Sequence, residues 1–531
     1  MAATLPLDTV EAVLNTIQEH EQALHLLDGQ IESLLRSARQ LQFLQEQHRL
    51  AIRKCKSQIT LARRLPPEIL ASIFEECVNN GWTRTPLVVS HVCSTWREAA
   101  HIPTVWSHVY INLEARDPYQ RTLLWLQRSQ KTLLTIDIEI GQDISQLHNV
   151  ADLLIAEAAR WKTLTIKSRF LDPVNQILAR FSNTTAPQLR AINFSVDQEF
   201  TLSVDPNNSD HELTNLRSFV EVAPLLRSLS TTRNVLPGSG TVPPTIKDLT
   251  LRLPCHYRSN EHPVSMVIRM LSELPLLEQF TIEVPNLHNQ RFSLDEGMQT
   301  VQTVLLEHLR SMTIMGANNI FGFIPHIRTP VLKELFLRST VDTVHSTDLG
   351  IWVRNFLRES LPPITLLEFR DLEIDHSVYT QLFASLPSLE ELRLHDSDIL
   401  DDVLQQLGGP EALCPSLQRL DLRWCGRVSG LALVQLVKRR LHAQEVSNAD
   451  DGYGSVTPIS EITLINCSFV KEEDLLQLAE MTVCRLMHRG QSDFCSLYGC
   501  CANERYRRRL KQRNMFHPPI FTGDAKRGVV F

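Results

Sequence analysis

The spacing of hydrophobic residues changes along the chain, and each change marks a different predicted structure. Up to residue 62 the hydrophobic positions follow a heptad, from 63 to 113 they lie on short helices, and from 114 to 482 they recur as apolar-x-x-apolar-x-apolar. Residues 483–531 follow none of these patterns and carry several Cys and Arg residues. The sequence therefore predicts an α/β protein with a long helix, a helical module, a repeat region and a partly disordered tail.

The first region predicts one unbroken helix, because residues 8–61 contain no proline and a single glycine, Gly29. A heptad frame places 16 positions on one seam, and 13 of them are non-polar when Ala and Cys are counted. These positions are Val10, Val13, Ile17, His20, Leu24, Leu27, Ile31, Leu34, Ala38, Leu41, Gln45, His48, Ile52, Cys55, Ile59 and Ala62. The seam favours a coiled coil, and with it a homodimer through residues 10–62. A helix that folds back on the rest of the chain would show the same pattern.

The second region predicts a helix that begins at two prolines. Pro66 and Pro67 fit a helix start because each lacks an N–H and has φ fixed near the helical value, and Glu68 then lies in the first turn. Apolar residues follow at helical spacing: Ile69, Leu70, Ile73, Phe74 and Cys77. A second helix is predicted from the cap Thr85 and Pro86 to the residue before Pro103.

This segment resembles the F-box, in the form abundant in mushroom-type fungi. The matching residues are Leu65-Pro66-Pro67-Glu68-Ile69-Leu70, Ile73-Phe74, Val92-Cys93, Trp96-Arg97-Glu98, Ala100, Pro103 and Trp106. The resemblance implies a small helical bundle that docks on the adaptor subunit of a cullin–RING ubiquitin ligase. It also implies adaptor-binding roles for Leu65, Pro66, Ile69, Leu70, Ile73 and Phe74. Burial in the core of a helical domain is the other interpretation of each of these residues.

The third region predicts a repeat architecture, because the apolar triplet returns twelve times at a mean step of about 30 residues. The triplets begin at Leu133, Trp161, Leu189, Leu226, Ile246, Leu277, Leu309, Leu332, Ile364, Leu389, Leu417 and Ile459. Each unit is expected to hold a short strand and a helical or irregular return, and to bury its apolar face only against a neighbour. In the clearest unit, Leu389 and Leu392 should point inward and Arg393 outward.

The repeat region looks like an irregular leucine-rich-repeat array, clearest over residues 329–469. Leu420-x-Leu422 with Cys425 and Ser429-Gly430-Leu431 resembles the cysteine-containing subtype that is often joined to F-boxes. The usual strand-end asparagine is mostly absent, and Asn466 followed by Cys467 comes nearest to it. The polar run at 448–455 is expected to be an inserted loop.

Composition and charge limit the classes of partner and the cellular compartment that we expect for the protein. The net charge of −7 gives no general electrostatic reason to bind nucleic acid or membranes. No apolar run reaches the roughly 18–20 residues that span a bilayer, so an intracellular protein of the cytoplasm or nucleus is expected. The 11 cysteines are an odd number scattered through a large chain and are expected to be reduced.

Few residues suggest a catalytic site or a metal site. We find no phosphate-binding loop, metalloprotease helix or nucleophile elbow, and we expect neither an enzyme nor a bound cofactor. Tail residues that could ligate zinc are Cys484, His488, Cys495, Cys500 and Cys501, but their spacing matches none of the strong paired forms, so no metal is expected. The basic run at 505–513 fits a solvated helix end better than a nuclear-import signal.

Together these features predict the substrate-receptor subunit of an SCF-type cullin–RING ubiquitin ligase. The F-box would bind the adaptor, and the strand-lined concave face of the repeats would bind a protein substrate. The alternative is a non-enzymatic scaffold of coiled coil and repeats, in which the F-box-like module serves packing or complexes unrelated to ubiquitin. An adaptor-binding surface must be exposed in the free chain, so the exposure of Leu65, Ile69 and Ile73 separates these interpretations.

Overall fold

The structure is a computed structural model, and it divides the chain into two units, residues 1–106 and 107–531. It describes residues 7–59, 65–182, 184–196, 223–232, 242–252, 263–283, 303–316, 318–339, 347–372, 374–397, 399–409, 411–449, 456–465, 467, 469–487 and 528–530. The predicted α/β class is confirmed, with helices in the first unit and a parallel sheet in the second.

The amino-terminal helix α1 runs without interruption over Leu7–Ile59. Its 53 residues correspond to a length of about 80 Å at 1.5 Å per residue. Every side chain from residue 11 to residue 56 is exposed, on the apolar seam as well as on the polar face. The predicted long helix is therefore present, and its apolar seam is open to solvent.

The helical module consists of three short helices and a 3₁₀ turn. These are α2 (Pro67–Asn79), α3 (Thr85–Ser90), α4 (Ser94–Ala100) and the turn Pro103–Trp106. The core side chains of the module are Leu70, Ala71, Phe74, Val78, Val89, Ala99, Ala100, Val105 and Trp106. The buried side chains of α2 recur at spacings of three and four residues and therefore lie on one face of the helix, which packs against the other helices.

The single second helix predicted from Thr85 to Pro103 is wrong, because the structure breaks it between Ser90 and Ser94. Cys93 is extended at φ −159° and caps a new helix, with the Arg97 N–H bonded to its carbonyl. The Arg97 Nε also donates to the Ser90 carbonyl at 2.9 Å and joins the two helices across the break. Thr85 is the first residue of α3 rather than its cap.

The second unit is built on one sheet of 15 strands. In spatial order these are β1 (His108–Asn112), β2 (Leu134–Ile140), β3 (Trp161–Ser168), β4 (Ala191–Val196), β5 (Ser228–Thr232), β6 (Asp248–Arg252), β7 (Gln279–Glu283), β9 (Ser311–Gly316), β11 (Glu334–Ser339), β12 (Leu366–Arg370), β13 (Glu391–His395), β14 (Arg419–Arg423), β15 (Glu461–Ile465), β16 (Val483–Met487) and β17 (Gly528–Val530). All pairs are parallel except β16 with β17. Two short strands, β8 (Val304–Leu305) and β10 (Ile327–Arg328), form a separate parallel pair.

Helices return the chain between many of these strands. They are α5 (Pro118–Ser129), α6 (Leu147–Ala156), α7 (Leu171–Phe181), α8 (Pro263–Ser272), α9 (Thr347–Ser360), α10 (His376–Ala384), α11 (Asp401–Gln406), α12 (Gly430–Ala449) and α13 (Glu472–Ala479), with 3₁₀ segments Ala158–Arg160 and Asn318–His326. Strands that follow one another in sequence and pair in parallel through such returns form a solenoid-like region.

The triplet pattern located the sheet accurately. Each of the twelve triplets carries a strand, and in ten of them the strand begins two residues after the first apolar position. Three strands of the sheet were missed: β1 lies inside the range predicted for the F-box, β16 follows the predicted end of the repeats at 482, and β17 lies in the predicted tail. The helix α12 also extends to Ala449 and includes the first two residues of the predicted loop, while 450–455 lie outside the described residues.

The predicted orientation of the clearest repeat is confirmed. Leu389, Leu392 and Leu394 are fully buried, and the register aligns Leu392 with Leu367 on one side and Leu420 on the other. Alternation along the strand places Arg393 on the opposite face, where its side chain is 32 % exposed. The inward leucines of neighbouring repeats thus form a continuous core.

The cysteines at the strand ends have a structural role. The Cys425 thiol donates to the Leu394 carbonyl at 3.3 Å, and the equivalent Cys467 thiol donates to the Leu422 carbonyl at 3.5 Å. Each bond therefore links a repeat to the preceding one. At these two strand ends, a thiol therefore supplies a hydrogen-bond donor to a backbone carbonyl of the preceding repeat.

Arg440 on α12 is a fully buried cation that joins two returns of the solenoid. Its guanidinium donates to the carbonyl oxygens of Leu407 at 2.6 Å, Pro415 at 2.7 Å, Thr457 at 2.9 Å and Leu417 at 3.1 Å. Burial lowers the pKa of Arg440 to about 10, so it remains charged at neutral pH. One side chain thus provides hydrogen bonds to several buried carbonyl groups.

Leu392→Ala should destabilise the repeat region by about 2–5 kcal/mol, through lost transfer energy and a residual cavity. Arg393→Ala should cost about 1 kcal/mol or less, because Arg393 is part-exposed and Arg338 still pairs with Glu368. Urea unfolding of the two variants measures the difference. Equal destabilisation would contradict the inward and outward assignment.

Arg440→Met should destabilise the chain by about 3–5 kcal/mol, because it leaves the carbonyls around the guanidinium without their donor. Arg439→Met is the matched control, since Arg439 is exposed on the same helix and its loss should change stability by about 0.5 kcal/mol or less. Thermal and urea melts compare the two variants. Similar stability of both would contradict the structural role of Arg440.

Candidate functional site

The first candidate surface lies on α2, whose start is built as the sequence predicts. The Pro66 carbonyl accepts hydrogen bonds from the N–H groups of Ile69 and Leu70, each at 3.1 Å. Pro66 and Pro67 have no N–H to leave unpaired at this end, and Glu68 lies in the first turn near the positive end of the helix dipole. The prolines therefore fix where α2 begins and which residues it presents.

The structure separates the six predicted adaptor-binding residues into two groups. Ile69 and Ile73 are 48 % and 45 % exposed, one turn apart on α2. Pro66 is exposed and Leu65 is half-buried beside them in sequence. This exposure is what an adaptor-binding surface requires and is uncommon for core residues.

Leu70 and Phe74 belong to the second group, and their adaptor-binding role stays a prediction. Both are only 2 % exposed, because they lie on the face of α2 that packs inside the module. The Phe74 ring lies 5.1 Å from the Trp96 ring, centroid to centroid, at 56°. These two residues pack behind the exposed face of α2 and support it.

Further exposed apolar residues of the module escaped the sequence prediction. Trp82 follows α2 and is 73 % exposed, while Val88 and Val92 are 61 % and 56 % exposed. The helical pattern had placed Val88 and Val92 among the residues of one continuous second helix. Val88 lies on α3 and Val92 lies between α3 and α4, and the break between these helices had no signal in the hydrophobic pattern.

The second candidate surface is the outward face of β11–β14, which we call the strand face. The parallel register aligns Arg338 with Arg370, Arg370 with His395, and His395 with Arg423. Neighbouring strands are about 4.8 Å apart, so these basic side chains form one row across four repeats. Like charges directly opposite each other destabilise a sheet unless other groups balance them.

Carboxylates on the same strands provide that balance. Glu368, of which only 4 % is exposed, lies 2.7 Å from Arg338 and 3.7 Å from Arg393. Asp421 lies 2.6 Å from Arg423 on its own strand. These pairs hold the guanidinium groups in fixed positions, and they make the strand face charged and pre-organised.

His395 lies in the middle of the row and is held neutral. Burial, followed by the charges of Arg423, Arg370, Arg338 and Arg393, holds the pKa of His395 well below its ordinary value. On the neighbouring strand, the Oδ1 atom of Asp421 lies 3.9 Å from Nε2 of His395, too far for a hydrogen bond. A proton on His395 would therefore be opposed by desolvation and by the surrounding arginines.

Metal ligation and membrane insertion find no support in the described part of the chain. Within those residues there is no cluster of His, Cys, Asp or Glu suited to a metal ion, and no helix combines the length and apolarity needed to cross a bilayer. Of the five tail residues considered above, Cys484 is buried and its pKa is raised to about 11. His488, Cys495, Cys500 and Cys501 lie outside the described residues, as does the basic run at 505–513.

The neutral state of His395 predicts a pH dependence of stability. Its folded pKa lies below the unfolded value of about 6.5, so the unfolded chain binds more protons there, and stability is lost as the pH falls below about 6.5. His395→Gln removes this contribution, and its urea midpoint should fall less between pH 7.5 and 5.5 than that of the unchanged protein. Parallel pH profiles of the two proteins would contradict the assignment.

Comparisons with known proteins concern mainly the helical module. Residues 62–112 match a family model described as F-box-like, and no curated protein matches the chain. Among solved structures, the chain is similar to one in the crystal structure of the yeast Rad7 and Elc1 complex, at 13 % identity over 84 % of this chain and 98 % of that chain, with a TM-score of 0.40. It is also similar to one in the mouse RP105/MD-1 complex, at 12 % identity over 78 % and 70 %, with a TM-score of 0.33. The helical module is thus F-box-like.

Proposed function

We propose that the protein is the substrate-receptor subunit of an SCF-type cullin–RING ubiquitin ligase. The F-box-like module binds the adaptor subunit, and the strand face of the repeats binds a protein substrate. The protein performs no chemistry in this role and acts in the cytoplasm or nucleus. It raises the effective concentration of the substrate near a ubiquitin-charged enzyme, which replaces a rare bimolecular encounter with an intramolecular one.

The observation that carries the proposal is the exposure of Ile69 and Ile73 on an F-box-like module. Fully burying an aliphatic side chain of this size is worth about 1.5–3 kcal/mol, so two half-exposed isoleucines leave a substantial gain for a partner to realise. The buried pair Leu70 and Phe74 keeps the helix that presents them rigid. Exposed, pre-organised apolar anchors of this kind favour a protein interface.

The strand face supports substrate binding by its charge and order. Arg338, Arg370 and Arg423 lie on β11, β12 and β14. Carboxylates orient two of them, Glu368 at Arg338 and Asp421 at Arg423. Fixed guanidinium groups lose little side-chain entropy when they bind a partner and can make bidentate contacts to carboxylates. A protein segment with complementary charges, acidic side chains included, is the partner that this face fits best.

The alternative function is that of a non-enzymatic scaffold of coiled coil and repeats, in which the F-box-like module serves packing or complexes unrelated to ubiquitin. The exposed apolar seam of α1 favours this role, because the homodimer predicted through residues 10–62 would use it. The two functions are compatible, since α1 and the α2 surface are separate. Adaptor binding distinguishes a ligase receptor from a scaffold.

The double variant Ile69→Asp with Ile73→Asp should abolish adaptor binding, because both carboxylates would be buried without partners at the interface. Binding of purified adaptor to the full chain, measured by calorimetry, tests this. The unchanged chain should bind, and the double variant should lose at least about 100-fold in affinity.

The control is Ser94→Asp, which places a carboxylate on an exposed residue in the first turn of α4, where the helix dipole favours it. It should bind the adaptor like the unchanged protein. Circular dichroism establishes that each variant is folded. Adaptor binding by a folded double variant, or no binding by the unchanged chain, would contradict the proposal and leave the scaffold as the better account.

A further inference from the structure

The helix α1 shows a combination of features that calls for a partner. Its seam residues are more than 45 % exposed along its length, among them Ile17, Leu24, Ile31, Leu41 and Ile52. Helices in water obtain most of their stability from packing of an apolar face. An uninterrupted helix of 53 residues whose seam is uncovered from residue 11 to residue 56 is therefore expected to bury that seam against another helix.

The charges of α1 are segregated, and this determines the direction of pairing. Residues 11–28 contain four acidic residues and no Lys or Arg, whereas residues 32–56 contain six basic and two acidic residues. Two parallel copies would bring acidic half against acidic half and basic half against basic half. An antiparallel arrangement brings each acidic half against the partner's basic half.

We propose that α1 forms an antiparallel coiled coil with α1 of a second copy of this chain. This inference is independent of adaptor binding and rests on α1 alone. It specifies the partner, its direction and its register, each of which follows from the positions of charged and polar residues in the heptads.

The flanking positions define the register. Glu21, Asp28, Arg49 and Lys56 all occupy the heptad position that follows the second seam residue, the e position. In an antiparallel pair, e positions lie beside e positions of the partner. A register centred between residues 39 and 40 places Glu21 beside Lys56 of the second copy and Asp28 beside Arg49. By symmetry the dimer then contains about four interhelical ion pairs.

The seam is consistent with this register. First and second seam positions face each other in antiparallel pairs, so Ile31 would face His48 and Leu34 would face Gln45 of the second copy. Each polar seam residue thus meets a large aliphatic one. In a parallel pair, His48 and Gln45 would each meet their own copy, and no acidic residue at one flank would meet a basic residue at the other.

Cys55 offers a direct test of direction, because it is an exposed thiol on the seam. The antiparallel register places it opposite Leu24 of the second copy, whereas a parallel pair places it opposite Cys55 itself. Leu24→Cys in the full chain, mildly oxidised, should therefore give a disulfide-linked dimer on a non-reducing gel. The linkage should disappear in Leu24→Cys with Cys55→Ser.

Two results of this experiment would overturn the proposal. One is a disulfide dimer of the unchanged chain that is lost in Cys55→Ser, which would show a parallel pair. The other is failure of Leu24→Cys to cross-link through Cys55. Comparison with Cys55→Ser distinguishes a cross-link through Cys55 from one through the remaining cysteines of the chain.

Charge reversal tests the ion pairs independently. Glu21→Lys with Asp28→Lys, and separately Arg49→Glu with Lys56→Glu, should each raise the homodimer Kd by about tenfold or more, because every e-position pair becomes repulsive. Mixing the two variants restores four attractive pairs and should give a heterodimer of the original affinity. Analytical ultracentrifugation at micromolar concentration measures all three. A monomeric unchanged chain, or no preference for the mixed dimer, would overturn the proposal.

Discussion

The repeat region depends on one constraint: a repeat buries its inward strand residues only when a neighbour covers them. Leu392 lies between Leu367 and Leu420 in the register and is fully buried for that reason. No single repeat could achieve this, because one strand and one return have too little surface to enclose an apolar side chain. The pairing of neighbouring strands also sets the spacing of the outward residues. The row from Arg338 to Arg423 is therefore a consequence of the packed core beneath it.

The F-box-like module solves a different problem with fewer residues. Three short helices cannot bury every apolar side chain, and the module uses one face of α2 for its core and leaves the other exposed. Phe74 and Trp96 make the first rigid, and Ile69 and Ile73 occupy the second. A partner is thus offered a surface whose geometry is already fixed, which lowers the entropic cost of binding.

Sequence reasoning located regular features well and irregular ones poorly. The triplets predicted twelve strands because a buried strand needs apolar residues at alternate positions, and α1 was predictable because no proline interrupts it. β1 was missed because Val109 and Ile111 are only two alternating apolar residues next to a helical motif. The break at Cys93 depends on backbone conformation and on the Arg97 contact to Ser90, neither of which leaves a hydrophobic pattern.

At the candidate site, the sequence predicted the helix and its start but not which of its apolar residues are exposed. Ile69 and Leu70 are adjacent and equally apolar, and only the packing of α2 against its neighbours exposes one and buries the other. The strand face was equally hidden, because Arg338 and Arg423 are far apart in sequence and become neighbours in one row only through the register.

Hydrogen exchange of the full chain with and without purified adaptor tests the central claim most directly. If the F-box-like module is the adaptor-binding element, amide protection should increase over α2 and the residues that follow it, while the strands of the repeat sheet exchange as before. Unchanged exchange over residues 65–92 at saturating adaptor, or protection confined to the repeat sheet, would contradict the account.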